Sequence, residues 1–221
     1  MTYKYLSYPL DLKIPVYGKT ASIDIKSVKS IDNGDSANVY AFAMENHWGT
    51  HVDAPNHFFV EGKKIADYPA GFWFFKSPQV IDIELLSSEM LISGSWFEQI
   101  KHDTDCLLLR SGWGMRRREE AYCIENPGIH PDVGRELRIK YPTIRALGID
   151  WVSVSSYRNR ELGREAHRAL LREYGIGEPP VIIEDMDLSC DMAGLRNVWV
   201  LPLRVCGLDS APCTIIGGFG D

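Results

Sequence analysis

Apolar positions along this 221-residue chain fall mostly into short runs separated by turn-forming residues. CLLLRSGW (106–113) and PQVIDI (78–83) are leucine-rich or β-branched and too short for helices. They predict strands buried on both faces. IRALGI (144–149) and PPVIIED (179–185) read the same way, and VYAFAM (39–44) predicts a strand ending just before a polar cluster. VWVLPLR (198–204) predicts a further strand, and Pro202, which has no N–H to donate, places it at a sheet edge or strand end. Helical periodicity is clearest twice. HPDVGRELRIKY (130–141) has Pro131 near its start and an acidic first turn. ELGREAHRALLREYGIG (161–177) carries Leu170, Leu171 and Tyr174 on one side and offers Gly175 as a C-cap. Residues 1–35 are rich in turn formers and predict irregular chain with one or two short strands. Strands outnumber helices, and both helices fall between late strands. The class is therefore α/β or α+β with a substantial mixed sheet. No repeat or low-complexity linker interrupts the chain, so residues 1–221 are expected to form a single domain.

Composition narrows the function classes. Apolar residues make up 45% and charged residues 24%, as in an ordinary globular protein. A net charge of -6 gives no bulk attraction to nucleic acid or anionic lipid. Arg116-Arg117-Arg118 is followed at once by Glu119-Glu120 and reads as a solvated loop or helix end. No apolar stretch is long enough to span a membrane, and the N-terminal residues lack the apolar core of a signal peptide. The expectation is a cytoplasmic protein with a small-molecule partner, no nucleic acid and no membrane. The five cysteines form no CxxC pair and are expected to be buried thiols. Cys106, inside a core strand, reads as packing rather than as a nucleophile.

The chemistry concentrates in ENHWGTHVDAPNHFFVEGK (45–63), where His47, His51, Asp53 and His57 fall within eleven residues. These are nitrogen and oxygen ligands that suit Zn(II) or Mn(II). His51 and Asp53 alternate as on a strand, so both can point the same way. Gly49 allows the tight turn that would bring His47 to the same point, and Pro55 stiffens the stretch that presents His57. Spacing alone leaves a metal site and a hydrogen-bonded loop both open. Missing cysteine ligands favour a catalytic over a structural site. Further ligands must come from elsewhere. His167 lies on the apolar side of its helix, where a lone histidine is more often a core residue than a ligand. Glu184 closes a buried strand, with Asp185 and Asp187 as rivals.

HWGTHVDAPNH (47–57) resembles HxGTHxDxPxH, the defining motif of the cyclase-like metal-dependent hydrolases, a family that includes bacterial kynurenine formamidases and isatin hydrolases. The likeness continues in YPLD (8–11), CLLLRSGW, ALGID (146–150), His167 followed by RALL, and VIIED (181–185). The resemblance implies an α/β fold with a mixed, partly barrel-like β-sheet and packed helices, of the swivelling β/β/α type. It implies that His47, His51 and Asp53 hold one metal, and that Asp53, His167 and Glu184 hold a second. His57 becomes the acid/base residue. Two Zn(II) or Mn(II) ions per subunit and a homodimer or higher homo-oligomer are expected. Two departures stand out. YGIGEPP (174–180) lengthens the connection between His167 and Glu184, which a surface loop absorbs cheaply. Relatives often continue Gly-Ile-Asp with Ser-x-Asp, whereas Ser153 and Ser155 follow here with no acid at the last position.

The implied reaction is hydrolysis of a small, aromatic or cyclic amide by metal-activated water, in the manner of an arylformamidase or isatin hydrolase (EC 3.5), with His57 moving the proton. No GxSxG elbow offers a serine nucleophile. Lactone, ester or carbamate hydrolysis, a ring-closing or dehydrating cyclase, and a metal-binding protein without turnover are the alternatives. Trp48, Phe58, Phe59 and Trp73, the last within GFWFF (71–75), are candidates to line an aryl pocket, although such residues serve cores and interfaces as readily. Arg110 and Arg204 are candidate carboxylate binders.

Overall fold

The structure is a computed structural model that describes residues 1–15, 17–19, 23–85, 91–172 and 177–220, with the side chain of residue 19 excepted. The described strands are β1 (Thr2–Tyr5), β2 (Asp24–Lys29), β3 (Val39–Ala43), β4 (His51–Asp53), β5 (Phe74–Phe75), β6 (Pro78–Asp82), β7 (Leu91–Ile92), β8 (Cys106–Arg110), β9 (Gly128–Ile129), β10 (Ala146–Ile149), β11 (Val181–Glu184), β12 (Leu195–Pro202) and β13 (Ser210–Phe219). The α-helices are α1 (Ala121–Ile124), α2 (Pro131–Lys140) and α3 (Arg160–Leu171). Nine strands form one mixed sheet in the order β5-β12-β13-β4-β11-β10-β8-β6, with β1 also on β13. β6, β8, β10 and β11 run parallel, while β4, β13, β12 and β5 continue the sheet antiparallel. β6 comes back against β12, so the sheet curls into a nearly closed barrel. No helix among the described residues is long and apolar enough to cross a membrane.

The unbroken apolar runs explain the central strands. β8, β10 and β11 have packing partners on both faces, and alternate side chains serve different cores. Leu107, Leu109, Leu147, Ile149 and Ile182 face the helices, where they meet Val133, Leu137, Leu170 and Leu171. Cys106, Leu108, Ala146, Val181 and Ile183 face the barrel interior with Val52, Val198, Val200 and Ile215. This pleat decides where the polar ends of the strands point. Glu184 follows Ile182 onto the helix side, and the register pairs Glu184 with His51 and Ile182 with Asp53. His51, Asp53 and Glu184 therefore share the face that α3 covers. The helix can lie close because Gly163 has no side chain, for a Cβ there would sit 2.4 Å from Ser155 Oγ.

Several expectations change. β6 is an edge strand with mostly half-buried residues and an exposed Asp82, because only β8 pairs with it in the sheet. Among the described residues β3 pairs only with β2, and both strands are exposed along their whole length. The second helix begins at Arg160 and ends at Leu171, after which Arg172 is extended. Tyr174 and Gly175, with the first part of the insertion, lie outside the described residues. Pro202 is the last residue of its strand, and Pro131 opens α2 with His130 as N-cap. Cys106 and Cys123 are buried, but Cys190 and Cys213 are half-buried and Cys206 is exposed. Arg117 does not belong to a solvated run: it is buried, whereas Arg116 pairs with Glu119 at the surface. β13, the longest of the described strands, escapes the hydrophobic pattern. Its Pro212, Gly217 and Gly218 imitate a turn, yet they sit where neighbours approach closely, and a Cβ on Gly218 would overlap Asn197.

Candidate metal and active site

Four local structures deliver the site. β4 presents His51 and Asp53, and the preceding loop carries His47 through a left-handed Gly49 (φ 66°). Thr50 is tied down on both sides: its Oγ donates to the Asp185 carbonyl (2.5 Å) and accepts from Tyr8 N (3.0 Å). A single 3-10 turn, Pro55–His57, starts on proline and ends on His57. β11 ends on Glu184, and α3 supplies His167 from its buried side.

The side chains converge on Asp53, which is fully buried. His47 Nδ1 lies 3.0 Å and His51 Nε2 3.6 Å from Asp53 Oδ1, and His167 Nε2 lies 3.9 Å from Oδ2. Glu184 approaches His51 Nε2 at 3.4 Å and His167 Nε2 at 3.4 Å, through its two different oxygens. Each ring is fixed by its other nitrogen. His51 Nδ1 donates to the Gly49 carbonyl (2.8 Å), and His47 Nε2 donates to Asp209 Oδ2 (3.1 Å). His167 Nδ1 donates to the Gly163 carbonyl (3.1 Å), with Ser155 Oγ also at 3.1 Å. The inward nitrogens are thus the ones left for a ligand, an arrangement seen in metal-binding histidines.

Whether these residues fit a divalent ion can be tested on their hydrogen bonding. Among the described residues, both Asp53 oxygens and His51 Nε2 are buried with no hydrogen-bond partner. Buried carboxylates without such partners are costly, and a cation between them removes the cost. Two groups place one ligand atom per residue within 4.8 Å of one another: His47, Asp53 and His57, and His51, Asp53 and Glu184. Asp53 belongs to both, as a bridging carboxylate would. The electrostatics agree. Burial works against a charged His47, but Asp53 and Asp209 outweigh it and push the ring up to about 10. Burial likewise disfavours an ionised Glu184, yet His167 and His51 bring it down to about 2. Burial opposes ionisation of Asp53 as well, and His47 and His51 hold it well below the usual carboxylate range. The residues fit a metal centre.

Asp209 belongs to the site by its contacts, and the sequence pattern does not reveal it. Its Oδ2 accepts from His57 Nδ1 (2.8 Å) as well as from His47, and its Oδ1 accepts from Asn46 Nδ2 (2.8 Å). It reaches the site because Ser210 pairs with Asp53 in the sheet, and the Asp209 carbonyl accepts from Ala54 N (2.9 Å). Hydrogen bonds from the two histidines hold its carboxyl well below the ordinary range. Ser153 and Ser155 also touch the cluster. Ser153 Oγ (3.2 Å) and Val154 N (2.8 Å) donate to Glu184 Oε1.

The rival carboxylates are engaged elsewhere. Asp185, at φ 54°, turns its side chain away to Arg117 and Tyr122, and Asp187 caps Ser189. Asp150 of the Gly-Ile-Asp run accepts from Ser111 N, Ser111 Oγ and Gly112 N, so ALGID and CLLLRSGW clasp each other.

The cluster forms the floor of a cavity of about 380 Å³ that also has Tyr17, Glu45, Phe58, Val152, Arg160 and Arg164 in its walls. Phe58 stacks on His167 (ring centroids 4.8 Å apart, planes at 20°). The other aromatic candidates do not line this cavity. Trp48 is buried in the loop behind the histidines, and Phe59 packs half-buried against the helix-side core. Trp73 belongs to the barrel-interior core beside Tyr68 and Phe72, because the 3-10 turn Ala70–Trp73 directs it inward. Arg110 is paired with Asp82 at the edge of the sheet, and Arg204 does not line the cavity either.

Comparison with known proteins gives concordant results. Residues 5–156 match the family model described as "Putative cyclase". Kynurenine formamidases of Bacillus cereus (strain ATCC 10987 / NRS 248) and Geobacillus thermodenitrificans (strain NG80-2) are each 30% identical, over 94% of this chain and 92% of theirs. Isatin hydrolase A from Labrenzia aggregata superposes with a TM-score of 0.78 at 19% identity, covering 99% of this chain and 94% of that one. A structure described as a potential metal-dependent hydrolase with cyclase activity gives 0.77 at 19% identity, covering 100% and 98%. At such identity the structural likeness speaks for the fold.

Proposed function

Because the chain belongs to the cyclase family, we propose that it is a metal-dependent hydrolase that cleaves a small aromatic or cyclic amide. Its formamidase relatives support the C–N bond as the target. The observation that carries the reading is Asp53, a buried carboxylate whose two oxygens lack hydrogen bonds while three histidines aim a nitrogen at it. His47, His51 and Asp53 would hold one ion, and Asp53, His167 and Glu184 a second, with zinc or manganese as the candidates. A bound divalent ion supplies Lewis acidity, which acidifies water and polarises a carbonyl.

The chain's own residues do the rest. His57 bonds Asp209 through Nδ1, so Nε2 is its free proton-transfer atom. It first takes a proton from the attacking water and then delivers it to the leaving amide nitrogen. Asp209 holds the imidazole in one tautomer and stabilises it when charged, and it positions His47 at the same time. Phe58, Tyr17 and Val152 provide an apolar wall against which a flat substrate would lie. Loading the metal-free protein with zinc or manganese and screening N-formylkynurenine, isatin, aryl amides and lactones tests this reading. Turnover of an amide that depends on metal is expected. Absence of turnover with either metal sinks the proposal. His57→Ala should keep its metal and lose rate, and loss of metal instead would make His57 a ligand.

We also infer that the functional unit is a homodimer or higher oligomer. The ribbon of β2 and β3 is exposed throughout and displays Ile25, Val28, Tyr40 and Phe42 to solvent. A lone two-stranded ribbon is marginally stable in water, and a second copy packed against it would cover these side chains. Light scattering of a Phe42→Glu variant should show a shift towards monomer.

A further inference from the structure

The wall of the cavity contributed by α3 has a regular pattern. His167, Arg164 and Arg160 are spaced three and four residues apart, so they form one stripe along the helix. At 1.5 Å per residue, Arg164 and Arg160 lie about 5 and about 10 Å from His167 along the axis, towards the mouth. Their surroundings differ from those of neighbouring arginines. Arg158 pairs with Glu125 and Arg168 with Glu165. Among the described residues, Arg160 and Arg164 make no ion pair and donate no hydrogen bond, although both line the cavity. Arg160 is held from behind instead. Its guanidinium lies 4.2 Å from the Tyr157 ring centroid, and Tyr157 meets Tyr17 edge-on at 5.8 Å. That contact fixes the arginine and leaves its N–H groups uncommitted. Among the described residues, Glu45 is the one carboxylate in the cavity wall outside the proposed ligand set, so two cations outnumber it there.

We propose that Arg160 and Arg164 form an anion-binding arm, and that the amide accepted here carries a carboxylate at the end remote from the scissile bond. The proposal rests on the hydrolase reading above and specifies its substrate class. Guanidinium groups suit a carboxylate because two parallel N–H donors match its two oxygens. Their distance from His167 calls for a spacer of about one aromatic ring between amide and carboxylate.

The test uses two substrates of one shape, 4-formamidobenzoate and the neutral 4-methylformanilide, with zinc-loaded protein. The native protein should prefer the carboxylate by at least about tenfold in kcat/KM. Arg160→Gln with Arg164→Gln should narrow that preference by about tenfold or more, mainly through KM, and the double lysine variant should restore part of it. Equal kcat/KM for the two substrates in the native protein overturns the arm. So does a preference that the double glutamine variant leaves as it was. A second readout separates this proposal from the hydrolase reading. Calorimetry measures binding of 4-formamidobenzoate to the zinc-loaded His57→Ala protein with and without the two glutamines. A tenfold loss of affinity supports the arm even if neither formanilide is hydrolysed, an outcome that would defeat the hydrolase reading for these amides. Equal affinity overturns it.

Discussion

Glu184 and Asp185 are adjacent, both buried, and belong to two charge clusters built on opposite principles. Asp185 is closed. Arg117 Nε and Nη2 reach its two oxygens at 2.8 and 2.6 Å, Tyr122 Oη donates at 2.5 Å, and the Arg117 guanidinium lies 4.0 Å from the Tyr8 ring centroid. Each partner finds its complement within the chain. The cluster of Asp53, Glu184 and three histidines is open: among the described residues, His51 Nε2 and both Asp53 oxygens are buried at its centre without a hydrogen-bond partner. A buried charge that serves the fold carries its own counter-ion. A buried charge that serves a ligand is left incomplete, and removing it should affect binding rather than folding.

That contrast can be broken most sharply at Asp53. Asp53→Asn should reduce bound zinc or manganese to background and lower kcat/KM by at least about 10³-fold, while the metal-free protein stays folded by circular dichroism. Asp185→Ala should do the reverse. It strands Arg117 and should cost about 3–5 kcal/mol in denaturant unfolding, with metal binding retained in the folded fraction. If both substitutions lowered stability equally and left metal content alike, the distinction would be wrong.

Smaller effects sharpen the open cluster. Asp209→Asn should retain metal yet lower kcat by about 10–100-fold, because His57 and His47 lose the acceptor that orients them. Unaltered kcat would remove Asp209 from the mechanism. Proton release gives a finer check. His47, pushed up to about 10 in the metal-free protein, holds a proton near neutrality that a metal must displace, and His51 and His167 are shifted in the same direction. Metal affinity should therefore fall as pH falls from 8 to 6, with proton uptake by buffer visible in calorimetry. Ser155→Ala should have the least effect, about tenfold in affinity for the ion proposed at His167, since the Gly163 carbonyl still orients the ring.

Much of this site was legible because its core is contiguous. His47, His51, Asp53 and His57 sit within one turn, strand and 3-10 turn, and strand alternation places His51 with Asp53. His167 and Glu184 were legible as candidates by position on a helix and at a strand end, but only the register of β11 against β4 separates Glu184 from Asp185. Asp209 was hidden because its role depends on β13, whose Pro212 and paired glycines suppress the strand signal. The aromatic candidates show the limit of composition. Phe58 and Trp73 look alike in sequence, yet one stacks on His167 and the other fills the barrel. Arg117 shows a related limit: a run of three arginines does not tell which one a distant carboxylate will draw inward.

The bridging role proposed for Asp53 in the cavity floor can be seen in an anomalous-scattering map at the zinc edge, from crystals grown with zinc. Peaks should lie within bonding distance of Asp53, one shared with His47 and His51 and one with His167 and Glu184. A map with no peak at Asp53, or with zinc only at surface residues, would contradict it.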